Sequence, residues 1–132
     1  MTAGGGGPVA ERLVLVVDDE ADLLEIVSDR LEGAGYRVLT ARDGLEALEC
    51  VRAARPACVV LDLKMPRLSG FDVLPAIRRE APETHIIVLT GSPNRPLAEA
   101  CRARGADDFL LKPFDAAELL RLTARAFGGG RA

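Results

Sequence analysis

An α/β fold on a doubly wound parallel sheet is predicted by three observations. Short apolar runs alternate with stretches of helical periodicity through the whole chain, and breakers such as Gly33, Gly35, Asp43-Gly44, Pro56, Pro82 and Gly105 fall between them. The runs are unbroken rather than alternating, as expected of strands covered by helices on both faces. Three of them lead straight into charge: Leu13 to Val17 into Asp18 and Asp19, Val59 to Leu61 into Asp62, and Phe109 to Leu111 into Lys112. At 132 residues and 48% hydrophobic content the chain suffices for one domain with one sizeable core.

Each element follows from local pattern. Leu13 to Val17 reads as the first strand, and Leu23, Leu24, Val27 and Leu31 recur at helical spacing until Gly33 and Gly35 stop the first helix. Arg37 to Ala41 is a more polar strand suited to a sheet edge. The Asp43-Gly44 turn opens a second helix, with Leu45, Leu48 and Val51 on its inner face, which ends before Pro56. Cys58 to Asp62 is the third strand. The loop from Lys64 to Gly70 is too rich in breakers to be regular, and it leads into a helix with Phe71, Leu74 and Ile77 inward that stops near Pro82.

His85 to Thr90 is the fourth strand. The helix after it, Pro96 to Arg104, has only Leu97, Ala100 and Cys101 to bury and is the least anchored of the five. Gly105 caps it, Asp108 to Leu111 is the last strand, and Leu119, Leu122, Thr123 and Ala126 form the buried stripe of a final helix. Residues 1–10 read as a flexible glycine-rich tail, 11–127 as the domain and 128–132 as a short frayed end. Right-handed crossovers and the need to bring Asp18, Asp19 and Asp62 together select the flavodoxin-like (βα)5 arrangement, strand order 2-1-3-4-5.

Composition narrows the function. No apolar run approaches the roughly 20 residues that span a bilayer, and the start has neither a basic nor an apolar region of a signal peptide, so a cytoplasmic protein without a membrane role is expected. A net charge of −3 without a basic block argues against direct nucleic-acid binding. Cys50, Cys58 and Cys101 are odd in number and far apart with no CxxC, which points to structural thiols rather than disulfides or a zinc site. His85, the lone histidine, reads as a surface or packing residue.

Ligands of open α/β sheets lie beyond the carboxyl ends of the strands, where the acids and Lys112 should converge. Clustered carboxylates repel one another, and a hard divalent cation relieves that repulsion, while a lysine opposite suits a phosphoryl group. Thr90 ends the fourth strand and offers a hydroxyl there, with Gly91 leaving the backbone open beside it. A phosphoryl-handling site is therefore expected.

The pair Asp18-Asp19, the run Asp62-Leu63-Lys64-Met65-Pro66 with Gly70 behind it, Thr90-Gly91, Gly105-Ala106-Asp107-Asp108-Phe109 and Lys112-Pro113-Phe114 fall in the order and spacing of a known family. From Arg12 to Phe127 the chain resembles the receiver domain of two-component response regulators, of the single-domain type. The resemblance implies that Asp62 accepts a phosphoryl group from a histidine kinase or histidine phosphotransfer protein. Asp19, Asp62 and the backbone carbonyl of Lys64 would bind Mg²⁺ directly, with Asp18 acting through water. Lys112 would pair with a phosphoryl oxygen, across a cis Lys112-Pro113 bond.

It further implies that Thr90 and Phe109 form the switch, altering the face of the fourth helix, fifth strand and fifth helix toward a downstream effector protein. The aspartyl phosphate would be made and lost by self-catalysis, and the protein would be a monomer or a weak phosphorylation-dependent dimer. Because the chain ends soon after the fifth helix, output is expected through protein contact. The sequence departs from the family at Ser69, where aspartate is common, and at Leu122, where an arginine of the dimer face would stand; Lys64 and Ser92 occupy positions that tune the phosphate lifetime. Two other readings stay open: a phosphorylation-independent interaction module, and a haloacid-dehalogenase-like phosphatase, which would need an acid where Lys64 stands.

Overall fold

The computed structural model describes residues 10–65, 67–91 and 94–127. The glycine-rich start up to Val9, the end from Gly128, and Pro66, Ser92 and Pro93 lie outside the described residues. Ten elements alternate: β1 (Ala10–Val17), α1 (Ala21–Gly33), β2 (Arg37–Ala41), α2 (Gly44–Ala54), β3 (Pro56–Asp62), α3 (Gly70–Glu80), β4 (His85–Thr90), α4 (Arg95–Ala103), β5 (Asp108–Leu111) and α5 (Ala116–Ala126). The strands form one parallel sheet in the order β2-β1-β3-β4-β5, as the sequence predicts.

Alternate residues of each strand feed two cores. Leu15, Val17, Val59, Leu61, Ile86 and Val88 pack with Ala47 and Val51 of α2, Leu74 and Ile77 of α3, and Cys101 of α4. On the other face Val14, Val16, Val60, Ile87, Leu89 and Leu110 meet Leu24, Val27 and Leu31 of α1 and Leu119 and Leu122 of α5. Period-two alternation splits the strands between faces, and period 3.6 gives each helix one inward stripe. Cys58 and Cys101 are buried thiols and Cys50 is half-buried.

The structure corrects the sequence reading in several places. β1 starts at Ala10 rather than Leu13, because Arg12 sits in a bulge at φ 57 with the pairing to β3 shifting between Ala10 and Val14. That backbone is held by the Arg12 guanidinium, whose Nε donates to the Gly35 carbonyl at 3.0 Å and whose plane lies 4.4 Å from the Tyr36 ring. β3 begins at Pro56, which needs no ladder donor at a first strand position. Leu45 is half exposed rather than inward. α2 enters with Gly44 against Leu68, so the inner stripe is Gly44, Ala47 and Val51, and Leu45 is rotated off it.

Candidate functional site

Strand ends set the site. Val17 pairs with Leu61 and Asp62 with Leu89, so β1 and β3 stop side by side, and Thr90 beside Leu111 closes the row. Beyond these ends a cleft of about 400 Å³ is lined by Asp19, Glu20, Asp62, Lys64, Thr90, Gly91 and Lys112. One carboxylate oxygen from each of Asp18, Asp19 and Asp62 lies within 4.8 Å of the others. Asp18 and Asp62 are buried whereas Asp19 is exposed.

Lys112 enters this cluster from the loop after β5. Its Nζ stands 3.0 Å from Asp18 Oδ2, 3.3 Å from Asp62 Oδ1 and 3.8 Å from Glu20 Oε1, and the Lys112–Pro113 peptide is cis. Burial works against the ammonium, but the hydrogen bond to Asp18 and the charges of Asp62 and Asp18 outweigh it and hold the Lys112 pKa above its usual range. Asp62 is pushed up to about 6, first by burial and then by the Asp18 charge, while Lys112 pulls the other way.

The acidic pair is not consumed by helix capping. α1 has Glu20 as its N-cap with no side-chain cap bond, and Asp18 Oδ1 instead accepts the Glu20 N–H at 2.9 Å, which aims the carboxylate across the strand ends. Asp62 is positioned by its successor: Leu63 N–H donates to the Leu89 carbonyl at 3.2 Å and Leu63 O accepts from Gly70 N–H at 3.0 Å. A Cβ at Gly70 would lie 2.0 Å from the Asp62 carbonyl oxygen, so only glycine lets α3 start this close. Ser69 Oγ caps α3 by accepting the Asp72 N–H at 3.1 Å, a local reason for a serine at this position.

Thr90 is buried at the end of β4, and its carbonyl accepts the Lys112 N–H at 2.7 Å, tying the two strand ends together. Phe109 is half-buried against the core under α2, α3 and α4 and is not among the residues that line the cleft. A Cβ at Gly91 would meet nothing within 4 Å among the described residues. The structure thus brings together Asp18, Asp19, Asp62, Thr90, Lys64 and Lys112, and leaves Phe109 outside the cleft.

A larger cleft of about 500 Å³ lies near the start of β4 and is lined by Arg78, Thr84, His85, Asp107 and Arg125. Its charges answer one another: His85 Nε2 is 2.6 Å from Asp108 Oδ2, Arg125 is 2.9 Å from Asp108 Oδ1, and Arg78 is 2.7 Å from Asp107 Oδ2. Arg78 also donates to the carbonyls of Pro82, Thr84 and Gly105, stitching two loops to α3. His85 is therefore a packing residue with two acidic neighbours, which no local pattern announces. Leu122 is buried in the α5 stripe, so the outer face of α5 carries Arg121 and Arg125 instead.

Oxygen donors clustered this tightly suit a hard cation such as Mg²⁺, and the lysine facing them suits an anion. Residues 14–124 match the family model of the response regulator receiver domain. The nitrogen assimilation regulatory protein NtrX of Azorhizobium caulinodans is 43% identical over 115 residues, 86% of this chain and 25% of that protein. The chain spans about a quarter to a half of the length of such curated relatives.

Among solved structures, the chemotaxis protein CheY4 of Vibrio cholerae superposes with a TM-score of 0.82 at 36% identity, covering 90% of this chain and 99% of that one. CheY in the CheX-CheY-BeF3-Mg²⁺ complex of Borrelia burgdorferi gives a TM-score of 0.83 at 27% identity, covering 87% and 88%. Sheet order, acidic cluster and these likenesses agree, and the chain belongs to the response regulator receiver domain family.

Proposed function

We propose that Asp62 is the phosphoryl acceptor of this receiver, taking the group from a phosphohistidine of a histidine kinase or phosphotransfer protein. The observation that carries the reading is the convergence of three carboxylates from two strand ends with Lys112 from a third, 3.3 Å from Asp62. Asp19, Asp62 and the Lys64 carbonyl would hold Mg²⁺, with Asp18 acting through water, and the ion when bound supplies positive charge that screens the carboxylates and the phosphoryl oxygens. That the similar Borrelia burgdorferi CheY is found in a complex with BeF3 and Mg²⁺ supports a metal-assisted phosphoryl site of this kind.

The residues then divide the work. An Asp62 carboxylate oxygen forms the new O–P bond as the donor N–P bond breaks, and the departing imidazole keeps the electron pair and takes a proton from solvent. With its pKa pushed up only to about 6 even without metal, Asp62 is mostly ionised at pH 7. Lys112 exchanges its contact with Asp62 for one with a phosphoryl oxygen, so charge is held at the same point before and after transfer. The Thr90 hydroxyl donates to the phosphoryl group, and Phe109 with α4 and α5 passes the change to an effector protein. The acyl phosphate is lost when water attacks its phosphorus and releases the Asp62 carboxylate. The protein acts in this way in the cytoplasm, as a monomer or a weak dimer formed on phosphorylation.

Incubation with acetyl phosphate and Mg²⁺, followed by intact mass, tests the reading. One added phosphoryl group on the parent, abolished by chelator and by Asp62→Ala, is expected. A phosphorylated Asp62→Ala chain would contradict it.

A further inference from the structure

The turn between β2 and α2 contributes no carboxylate to the site, yet it touches the loops on both sides of it. On one side Asp18 N–H donates to the Ala41 carbonyl at 3.1 Å, extending the sheet by one rung into the acidic pair. On the other, Gly44 N–H donates to the Leu68 carbonyl at 2.9 Å, and a Cβ at Gly44 would lie 2.4 Å from that oxygen. Between them stands Asp43, buried to 4% exposure. Its Oδ1 accepts the Glu46 N–H at 2.9 Å, capping α2, and its Oδ2 accepts both Nε, at 3.0 Å, and Nη2 of Arg67.

Arg67 belongs to the loop that begins after Asp62 and carries Lys64. That loop is pinned at its root by the bonds of Leu63 to Leu89 and Gly70. Farther out, the Leu68 carbonyl and the Arg67 side chain anchor it to the α2 entrance. Arg67 holds φ at 67, a conformation that a non-glycine residue keeps only where its surroundings fix it. The carboxyl of Asp43 is held below the usual range by the Glu46 N–H and then by Arg67, so the anchor stays ionised.

Resting on the receiver reading above, we infer that Arg67 is a positioning residue: by forking onto the buried Asp43 it fixes the β3–α3 loop, and with it the Lys64 carbonyl, relative to the acidic pair on the neighbouring loop. Two N–H groups of one planar guanidinium converging on Oδ2 set direction as well as distance, which an ammonium does not. The side chain of Arg67 is itself 64% exposed, and the buried Asp43 carboxylate keeps the Glu46 N–H when Arg67 is replaced, so the pair contributes little to global stability and its effect falls on loop placement.

The test opposes two signs. Deleting a cation from a loop beside carboxylates tightens divalent-cation binding on charge alone, whereas loosening a ligand-bearing loop weakens it. Mg²⁺ affinity measured calorimetrically on the full chain is expected to fall about tenfold in Arg67→Met, the lower end for loss of a group that orients a metal ligand. Arg67→Lys, keeping the charge but not the fork, is expected between parent and Met. Metal-free melting temperatures of all three should agree within about 2 °C, because the Asp43 carboxylate keeps its capping bond in each. Equal or tighter Mg²⁺ binding by Arg67→Met overturns the inference, and so does a loss of affinity that merely tracks a lowered melting temperature. If the parent chain binds no Mg²⁺, the metal reading falls and this inference with it; parent binding with an unaffected Met variant removes the inference alone.

Discussion

Replacing Asp62 by asparagine should make the metal-free protein more stable at neutral pH while abolishing phosphoryl transfer. Asp62 is pushed up to about 6 from an ordinary 3.8 by burial and by the Asp18 charge. Between these values the folded chain binds more protons at this site than the unfolded chain, so its contribution to stability falls as pH rises through the window and stays lost above it. The full difference corresponds to at most about 3 kcal/mol, and solvent at the mouth of the cleft reduces it to about 1 to 2 kcal/mol. For a domain of this size that is about 4 to 8 °C in melting temperature.

Thermal melts of parent and Asp62→Asn without metal should therefore diverge at pH 7.5 and converge below pH 4. Mg²⁺ at about 100 times its dissociation constant should return about 2.7 kcal/mol to the parent, and much less to the variant. A variant less stable than the parent at pH 7.5, or a gap that does not close in acid, would refute the electrostatic account.

Three further outcomes follow from the same geometry. Lys112→Met removes a charge 3.3 Å from Asp62, worth between about 1 kcal/mol in water and about 5 at an effective dielectric of 20; the Asp62 carboxyl should then titrate at least about one pH unit higher by ¹³C NMR, and an unmoved midpoint would exclude the coupling. Gly70→Ala places a Cβ against the Asp62 carbonyl and strains the Gly70–Leu63 bond, so a loss of about 2 to 4 kcal/mol in denaturant melts is expected, whereas Gly91→Ala, whose Cβ meets none of the described residues within 4 Å, should cost under about 1. Phosphorylation should change amide exchange in α4, where Cys101 alone is fully buried, and along Phe109 to Leu111; identical exchange before and after would dismiss the switch.

Much of this was legible because it is local. The bounds of β2, β4 and β5 follow from apolar runs meeting breakers or charge, and the acids and Lys112 fall just past strand ends, where topology alone brings them together. What escaped depends on partners distant in sequence. The bulge at Arg12 hid the start of β1 because a polar pair looks like a tail until the Gly35 carbonyl and Tyr36 ring stand beside it. Leu45 faces out because Leu68 fixes the rotation of α2, and no periodicity separates that stripe from its neighbour. The Arg67–Asp43 fork joins two loops whose residues look like ordinary turn formers when read alone.

On the reading proposed above, Asp62 itself carries the phosphoryl group. Its most direct test is borohydride reduction of the phosphorylated protein, which converts an aspartyl phosphate to homoserine, followed by peptide sequencing in the mass spectrometer. Homoserine is expected at position 62 alone, and only when Mg²⁺ and the phosphodonor are both present. Homoserine at Asp18, Asp19 or elsewhere with Asp62 intact would contradict it.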